Sequence, residues 1–296
     1  MRDFLGYQGK RVVVNGAASG MGEATAKLLT EMGAEVHALD IKQVTVPVKR
    51  YIQTDLKQKQ SIDDAVKQIP NDIHAIFCCA GVSNPPFSKM DVALVNFVAH
   101  RYLTESLLPK IHDNGAIAFI SSQGGVAWRN RLDIIKKFLA TKGFDGMRAW
   151  LEANEAINDG YDFSKQCVCT YVKTSVAELA KRGIRINCTM PGPTNTGMTA
   201  GFRDDGVVPK DAPKYDEKTK AQIEAVMDMI RPLNGRNASA EEQAEPLIFL
   251  NSNMARHISG VAFCVDFGRM ALAEAALVPD IWGLYAKTDQ HKPMIS

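Results

Sequence analysis

The sequence predicts an α/β fold: a single doubly wound domain in which helices cover both faces of a seven-stranded parallel sheet. Three observations lead to this prediction. Strand-like runs alternate with helix-like runs along the 296-residue chain. The strand-like runs are nearly continuously apolar, as is typical of parallel strands buried on both faces. The first of them ends in a glycine-rich turn that opens a helix, and no linker or internal repeat divides the chain.

Each predicted strand is a short run rich in β-branched or other apolar residues. The first is the run Arg-Val-Val-Val before the glycine-rich turn. The predicted strands are residues 11–14, 36–39, 51–53, 73–78, 116–120, 184–188 and 261–265. A parallel sheet of this kind binds ligands at the carboxyl ends of its strands.

Between the strands, apolar residues recur at helical spacing. Gly33 ends the first predicted helix, Ser61 caps the second and Pro109 stops the third. The predicted helices are residues 21–32, 61–68, 91–108, 161–181 and 240–250.

The composition, with 46% apolar and 23% charged residues, is that of an ordinary globular protein. Its 35 basic and 33 acidic residues are scattered and give a net charge of +2, so neither nucleic-acid nor membrane binding is predicted. No apolar signal region or membrane-spanning run is seen, and a cytoplasmic location is expected. The six cysteines and six histidines show no metal-ligand spacing. We expect reduced core cysteines, isolated histidines and no metal site.

The turn after the first strand carries glycines at positions 16, 20 and 22. Glycines let the backbone turn sharply and approach a pyrophosphate, whose charge is stabilised at a helix N-terminus. Asp40 ends the second strand, where a carboxylate can bind ribose hydroxyls and repel a 2′-phosphate. This favours NAD over NADP, although Lys42 nearby weakens the argument and Asp40 could be a simple turn residue.

Tyr161 and Lys165 lie four residues apart on a predicted helix and therefore share one face. A free tyrosine has a pKa of about 10 and is a poor base at neutral pH. A fixed cation nearby favours the phenolate, so we expect Lys165 to lower the pKa of Tyr161. Such a pair alone is common on surface helices, and its meaning depends on the rest of the chain.

Together these motifs resemble the short-chain dehydrogenase/reductase family over about residues 9–268. The resemblance implies a Rossmann-type fold. It is strongest to the 3α-hydroxysteroid dehydrogenase/carbonyl reductase and coniferyl-alcohol-dehydrogenase-like branches. It aligns Asn96, Ser122, Tyr161 and Lys165 with the family's catalytic residues.

The resemblance also implies a role for each of these four residues. Tyr161 would act as general acid or base, and Lys165 would lower its pKa and hold the nicotinamide ribose. Ser122 would orient the substrate oxygen, and Asn96 would support a water-linked proton path to Lys165. Ser121 stays an alternative to Ser122, because neighbouring strand residues face opposite ways.

By the same resemblance, a nicotinamide cofactor, NAD, would lie along the carboxyl edge of the sheet. Asp55 matches an aspartate that contacts adenine, and the loop starting at Pro191 matches one that holds the nicotinamide side. The residues assigned to the cofactor are Gly16, Ser19, Gly20, Met21, Gly22, Asp40, Ile41, Asp55, Leu56, Cys79, Ala80, Gly81, Tyr161, Lys165, Pro191, Gly192, Thr194 and Thr196. The departures from the family pattern are Asn15 for threonine, Cys78 and Cys79 for asparagines, and Phe267 for glycine. None of them removes a catalytic group.

Three segments add to this pattern. A helical insert at about residues 124–160, predicted to form two short amphipathic helices, serves either substrate binding or subunit packing. A stretch at about 195–233 corresponds to the family's substrate lid. A C-terminal extension at about 269–296 is apolar enough to dock on another subunit, so a homodimer or homotetramer is expected.

The expected activity is NAD-dependent hydride transfer between nicotinamide and a bulky hydrophobic or aromatic secondary alcohol or ketone, hydroxysteroid-like or aryl. Two alternatives stay open: an NADPH-preferring carbonyl reductase, and a regulatory protein that binds cofactor without turnover. The presence of all four candidate catalytic residues argues against the regulatory protein.

Overall fold

A seven-stranded parallel sheet organises the chain in the computed structural model, which describes residues 3–84, 86–196 and 216–284. The strands are β1 Arg11–Asn15, β2 Glu35–Asp40, β3 Arg50–Gln53, β4 Ile73–Cys78, β5 Ile111–Ile120, β6 Arg185–Pro191 and β7 Ala262–Val265. Their order is β3-β2-β1-β4-β5-β6-β7, and every pairing is parallel. The predicted doubly wound α/β fold with seven strands is confirmed. The strand order reverses between β1 and β4, which opens a crevice at their carboxyl ends.

Helices cover both faces of this sheet. Within the described residues they are α1 Gly20–Glu31, α2 Lys59–Gln68, α3 Lys89–Ala93, α4 Ala99–Leu107, α5 Leu132–Leu139, α6 Gly143–Ala153, α7 Tyr161–Leu179, α8 Glu217–Met229, α9 Ala240–Asn251 and α10 Arg269–Glu274. The single helix predicted at 91–108 is divided, because a π-helical turn, Leu94–Val98, joins α3 to α4. None of these helices has the length and apolar character needed to cross a membrane.

Two apolar clusters, one on each face of the sheet, hold the layers together. Val13 packs into the cluster shared with α4 and α7, whereas Val12 and Val14 pack into the cluster shared with α1 and α9. This alternation follows from the two-residue period of a strand. It explains why the strands read as continuous apolar runs in the sequence.

The insert between β5 and α7 forms two short helices, α5 and α6, as predicted. Phe138, Met147 and Leu151 of these helices are fully buried in the chain's own core. The Phe138 ring lies 5.8 Å from the ring of Phe163 in α7, and Trp150 stacks on Phe163 at 6.4 Å. The Phe138 and Trp150 rings therefore pack on α7 of the same chain. The choice between substrate binding and subunit packing for the insert stays a prediction.

A bulge in β5 brings two histidines together at the amino end of the sheet. Ile73 pairs with Ile111 and Ala75 with Ala116, so His74 alone lies opposite residues 112–115 of β5. The extra residues bulge out of the strand. The ring of His112 stacks on that of His74, with centroids 5.0 Å apart. The prediction that the histidines are isolated is wrong for this pair, because strand pairing joins residues far apart in sequence.

Parts of two predicted segments lie outside the described residues. These are residues 197–215 of the predicted lid and residues 285–296 of the predicted C-terminal extension. The described remainder of the lid contains α8, and that of the extension contains α10. All six cysteines are free, as predicted, and five of them are buried.

Candidate active site

Loops at the carboxyl ends of β1 to β6 carry nearly all the predicted site residues. These loops contain residues 16–22, 40–41, 55–56, 79–81, 121–122 and 191–196. Asn96 joins them from the π-helical turn, and Tyr161 and Lys165 join them from the first turns of α7. The fold thus brings the predicted residues to one edge of the sheet.

The glycine-rich turn after β1 is packed too closely for other side chains. Gly16 has a φ of +74°, and a Cβ there would lie 2.4 Å from the backbone nitrogen of Ala80. A Cβ on Gly22 would lie 2.0 Å from the carbonyl oxygen of Gly16. Gly20 has a φ of +58°, and a Cβ there would lie 3.4 Å from the Thr196 side chain. The turn therefore contacts both the β4 loop and the β6 loop across the crevice.

Helix α1 begins inside this turn, with Ser19 as its N-cap. The Ser19 side chain makes no capping hydrogen bond. Met21, in the first turn, packs against the apolar cluster beneath. The first N–H groups of a helix have no intrahelical acceptor and carry partial positive charge, so this end of α1 suits an anionic group.

Asp40, at the end of β2, is fixed beside the glycine-rich turn. Its Oδ2 accepts a hydrogen bond from the Ala18 N–H at 2.9 Å, and its Oδ1 accepts one from the Lys42 N–H at 2.9 Å. Ile41 next to it exposes 52% of its surface. Asp40 is thus both a turn residue and a carboxylate placed at the crevice.

Asp55 and Leu56 follow β3, the outermost strand on this side of the sheet. The Asp55 carboxylate accepts a hydrogen bond from the Lys57 N–H at 2.9 Å, and the Asp55 N–H donates to Ser61 Oγ. These contacts order the loop at the far end of the crevice from Tyr161.

The loop after β4 is held by residues that depart from the family pattern. Asn15 Oδ1 accepts hydrogen bonds from the N–H groups of Cys79 and Ala80, at 3.2 and 3.1 Å. The Cys78 thiol contacts Thr104 Oγ1 at 3.6 Å. Asn15 therefore joins β1 to this loop through its own side chain, and the two cysteines are buried in the packing below.

Asn96 binds the same loop from the π-helical turn. It is fully buried, accepts from the Val82 N–H at 2.9 Å and donates to the Val82 carbonyl at 2.9 Å. It also donates to Ser164 Oγ at 3.3 Å. Both amide hydrogens are engaged, so only an Oδ1 lone pair is left for a water molecule. Such π turns are often found at functional sites.

The two serines after β5 face different partners. Ser121 is buried, donates from Oγ to the Lys165 carbonyl at 2.9 Å and contacts Cys169 Sγ at 3.2 Å. Ser122 Oγ accepts from the Gly124 N–H at 3.2 Å, and the Ser122 hydroxyl lies close enough to the Tyr161 phenol to lower its pKa. Ser122 is therefore the serine that reaches the tyrosine, whereas Ser121 ties β5 to α7.

Lys165 lies beneath the ring of Tyr161. Its Nζ is 5.5 Å from the ring centroid and donates to the Ile120 carbonyl at 3.0 Å. Only 3% of its surface is exposed. An ammonium group is thus held in the core beside the phenol by a backbone carbonyl at the end of β5.

Burial dominates the titration of this pair. Loss of hydration lowers the pKa of Lys165 to about 8. Burial raises the pKa of Tyr161 above its usual 10, an effect that the Ser122 hydrogen bond partly opposes. That Lys165 lowers the pKa of Tyr161 stays a prediction.

Asn84 and Gly160 position the start of α7, and the sequence analysis missed both. Asn84 Oδ1 accepts from the Tyr161 N–H at 3.0 Å, and its Nδ2 donates to the Asp159 carbonyl at 3.2 Å. Gly160 has a φ of +91°, and a Cβ there would lie 2.8 Å from Asn84 Oδ1. The glycine before Tyr161 was the only local signal.

Asp266 and Gln123 link the loop after Ser122 to the loop that starts at Pro191, and they too were missed. The Asp266 carboxylate accepts from Gln123 Nε2 and from the Met270 N–H, both at 2.8 Å. A Cβ on Gly192, which follows Pro191, would lie 2.8 Å from the Asp266 Cβ. Thr194 Oγ1 donates to the Gly192 carbonyl at 2.9 Å. The loop therefore packs tightly on the end of β7.

Comparison with known proteins gives matches along most of the chain. A family model described as short chain dehydrogenase matches residues 10–134, and one described as enoyl-(acyl carrier protein) reductase matches residues 149–269. Coniferyl-alcohol dehydrogenase of Pseudomonas sp. (strain HR199 / DSM 7063) is 30% identical over 261 residues, covering 88% of this chain and 96% of that protein. The 3-alpha-hydroxysteroid dehydrogenase/carbonyl reductase of Comamonas testosteroni is 25% identical over 262 residues, covering 87% and 95%.

A similar fold occurs among solved structures. The 3-alpha-hydroxysteroid dehydrogenase of Pseudomonas sp. B-0831, solved in complex with NADH, aligns with a TM-score of 0.70 over 90% of this chain and 99% of that one. The two sequences are 23% identical.

Proposed function

Because this chain belongs to the short-chain dehydrogenase family of oxidoreductases, we propose that it is an NAD-dependent dehydrogenase of a bulky hydrophobic or aromatic alcohol. The substrate would be hydroxysteroid-like or an aryl alcohol, or the matching carbonyl compound. One observation carries the proposal. The Ser122 hydroxyl lies close enough to the Tyr161 phenol to lower its pKa, and the Lys165 Nζ lies 5.5 Å from the centre of the tyrosine ring at the ligand-binding edge of the sheet.

The residues at this edge fit a nicotinamide dinucleotide. The N-terminus of α1 and the glycine-rich turn suit a pyrophosphate, because the backbone can be approached closely there. Asp40 stands where ribose hydroxyls would bind, and Lys165 and the loop at Pro191 stand where the nicotinamide half would lie. When bound, this group supplies the hydride acceptor or donor.

The side chains of the chain itself handle the proton. The ionised Tyr161 oxygen would take the proton of an alcohol, and the neutral Tyr161 hydroxyl would give its proton to a carbonyl. Ser122, whose hydroxyl lies beside the Tyr161 phenol, would hold the substrate oxygen at that position and stabilise charge on it. With a pKa of about 8, Lys165 is still protonated at neutral pH and stabilises a phenolate formed during the transfer. Asn96 would support this path mainly by fixing the β4 loop.

The preference for NAD rests on Asp40. Both of its carboxylate oxygens accept backbone N–H groups, which hold its negative charge at the crevice. A 2′-phosphate placed there would meet like charge, whereas ribose hydroxyls would meet a hydrogen-bond acceptor. An NADPH-preferring carbonyl reductase is the alternative, and Lys42 beside Asp40 is the residue that would favour it.

The substrate class is supported by the relatives. Coniferyl alcohol and hydroxysteroids, which two of them are named for, are both ring-bearing alcohols. The buried residues of the insert no longer support this class, because they pack in the core. The argument from the chain itself therefore depends on the lid stretch near residues 195–233.

A homodimer or homotetramer in the cytoplasm completes the proposal. Phe263 on the edge strand β7 and Leu277 after α10 expose large apolar surfaces, which suits contact with another subunit. Light scattering of the purified chain tests the oligomeric state, and a monomer would contradict this part.

A substrate panel tests the activity. Cinnamyl-type alcohols, 3-hydroxysteroids and short aliphatic alcohols, with the matching carbonyl compounds, are assayed with NAD(H) and with NADP(H). We expect the highest kcat/KM for a ring-bearing substrate with NAD(H). Higher kcat/KM with NADPH would favour the reductase. Cofactor binding without turnover of any compound would favour the regulatory alternative.

A further inference from the structure

A second cluster of chemistry-bearing side chains lies at the amino end of the sheet, at the opposite ends of β4 and β5 from Ser122. Asp72, His74 and His112 each offer a ligand atom, and these atoms all lie within 4.8 Å of one another. Asp72 precedes β4, His74 lies within it, and His112 lies in the bulge of β5. Nothing in the proposed dehydrogenase reaction uses these residues.

The tautomer of His112 is set by its neighbour. Its Nδ1 is hydrogen-bonded to the carbonyl oxygen of Asp113, which can only accept, so Nδ1 carries the proton. This leaves a lone pair on Nε2. Histidines that bind metals are held in the same way, with the other ring nitrogen donating to a carbonyl or carboxylate.

The lone pair of His112 is directed towards Asp72. Its Nε2 lies 4.0 Å from Asp72 Oδ1, which is too long for a hydrogen bond. Two ligand atoms that bind the same zinc ion, each about 2.0–2.2 Å from it, are separated from one another by this distance or less. Both side chains are more than half exposed, so small rotations could bring the atoms closer while a water molecule fills a further position.

His74 is the most enclosed of the three. Its Nδ1 is buried with no hydrogen-bond partner by geometry, and its Nε2 lies 3.2 Å from the Lys10 ammonium. An ammonium only donates, so Nε2 accepts. The Lys10 ammonium therefore binds the Nε2 lone pair of His74 that a metal ion would need. A metal ion at the cluster has to compete with it.

Other charges around the cluster are already paired. Asp113 forms an ion pair with Arg182 at 2.8 Å. The Arg11 side chain donates to the Asn71 carbonyl at 2.6 Å and forms an ion pair with the Glu35 carboxylate at 3.5 Å. Among the described residues, Lys10 is therefore the cation that directly contacts the cluster, through His74.

We propose that Asp72, His74 and His112 form a binding site for a divalent transition-metal ion of the zinc class. Two imidazoles and one carboxylate suit zinc, copper or nickel better than magnesium or calcium, which prefer oxygen ligands. The ion would fasten the bulge of β5 to the start of β4. It would have a structural effect and take no part in hydride transfer.

Calorimetric titration of the metal-stripped full-length protein with zinc chloride tests the site. We expect one site whose affinity falls at least about tenfold in His112→Ala and in Asp72→Asn, since even partners behind the ligands are worth about 10–100-fold. His257→Ala, which removes an exposed histidine elsewhere, is the matched control and should bind as the wild type does. Wild-type affinity in both cluster variants would overturn the proposal, as would an equal loss in the control.

A second variant acts in the opposite direction. Lys10→Met removes the ammonium that competes for His74, so we expect zinc to bind several-fold more tightly. An unchanged or weaker affinity in this variant would contradict the proposed ligand set. Zinc should also raise the melting temperature of the wild type and not that of His112→Ala, because binding to the folded state stabilises it.

Discussion

Replacing Lys165 by methionine should change how stability depends on pH. Burial lowers the pKa of Lys165 from 10.5 to about 8 in the folded chain. That depression of about 2.5 pH units corresponds to about 3 kcal/mol, at about 1.36 kcal/mol per pH unit. Between these two values the unfolded chain binds more protons than the folded one. Wild-type stability therefore gains this amount as the pH rises from about 8 to 10.5.

Lys165→Met removes the buried charge and also a hydrogen bond. The Ile120 carbonyl loses its donor, which costs about 1–3 kcal/mol at every pH, because a neutral amine donates as well. At pH 7 the variant should thus be more stable than the wild type by up to about 2 kcal/mol. At pH 10.5 it should be less stable by about 1–3 kcal/mol.

Urea unfolding at a series of pH values from 7 to 10.5 measures this difference. Lys137→Met, which removes an exposed lysine from α5, gives the baseline for losing one surface lysine. From pH 7 to 10.5 the difference in the free energy of unfolding between wild type and Lys165→Met should change by about 3 kcal/mol. This change does not depend on how well methionine packs, because packing is insensitive to pH. Parallel stability–pH curves for wild type and Lys165→Met would refute the reasoning.

Three further substitutions test the site. Tyr161→Phe should lower kcat by about 10²–10⁴-fold, while the affinity for NADH, measured by fluorescence titration, stays nearly unchanged. Turnover at the wild-type rate would rule out proton transfer by the Tyr161 hydroxyl. Asp40→Asn should shift the NAD/NADP ratio of kcat/KM towards NADP by about tenfold, about 1.4 kcal/mol, and an unchanged ratio would remove Asp40 from cofactor choice. Asn84→Ala should lower the free energy of unfolding by about 1 kcal/mol and reduce kcat, because α7 loses its side-chain cap. Asn84→Asp keeps the acceptor and should restore much of both, and equal losses in the two variants would argue against capping.

The sheet could be predicted from the sequence because each parallel strand is buried on both faces. Val12, Val13 and Val14 all lie in the core, on alternating sides, so the run reads as a strand without any knowledge of its neighbours. The helix that carries Tyr161 was predicted at residues 161–181 and runs over Tyr161–Leu179. Local patterns of this kind need no long-range information.

The choice between Ser121 and Ser122 could not be made in the same way. Strand alternation says only that the two side chains point to opposite sides. It is the contact of Ser122 with Tyr161, and of Ser121 with the Lys165 carbonyl, that separates them. The sequence pattern contains no information about which side α7 occupies.

The residues that sequence reasoning missed all act across the fold. Asn84 binds the N–H of Tyr161 from 77 positions away, and Gln123 binds Asp266 from 143 positions away. The stacked pair of His74 and His112 depends on strand pairing in the same way. Polar side chains in loops carry no periodic signal, so only the folded chain shows their partners.

The π-helical turn at Leu94–Val98 behaves as one extra residue inserted into a helix. Deleting a single residue there would let α3 and α4 join as one regular helix, with better backbone hydrogen bonding. The same deletion would rotate one half of the helix against the other by about 100°, the angle per residue of an α-helix. Asn96 would then turn away from Val82 and Ser164 while the core on the opposite side moved out of register. The chain thus keeps a less regular helix, because its register places the Asn96 side-chain amide against Val82 and Ser164. Removing the extra residue would make the helix locally more stable but would lose that position of Asn96.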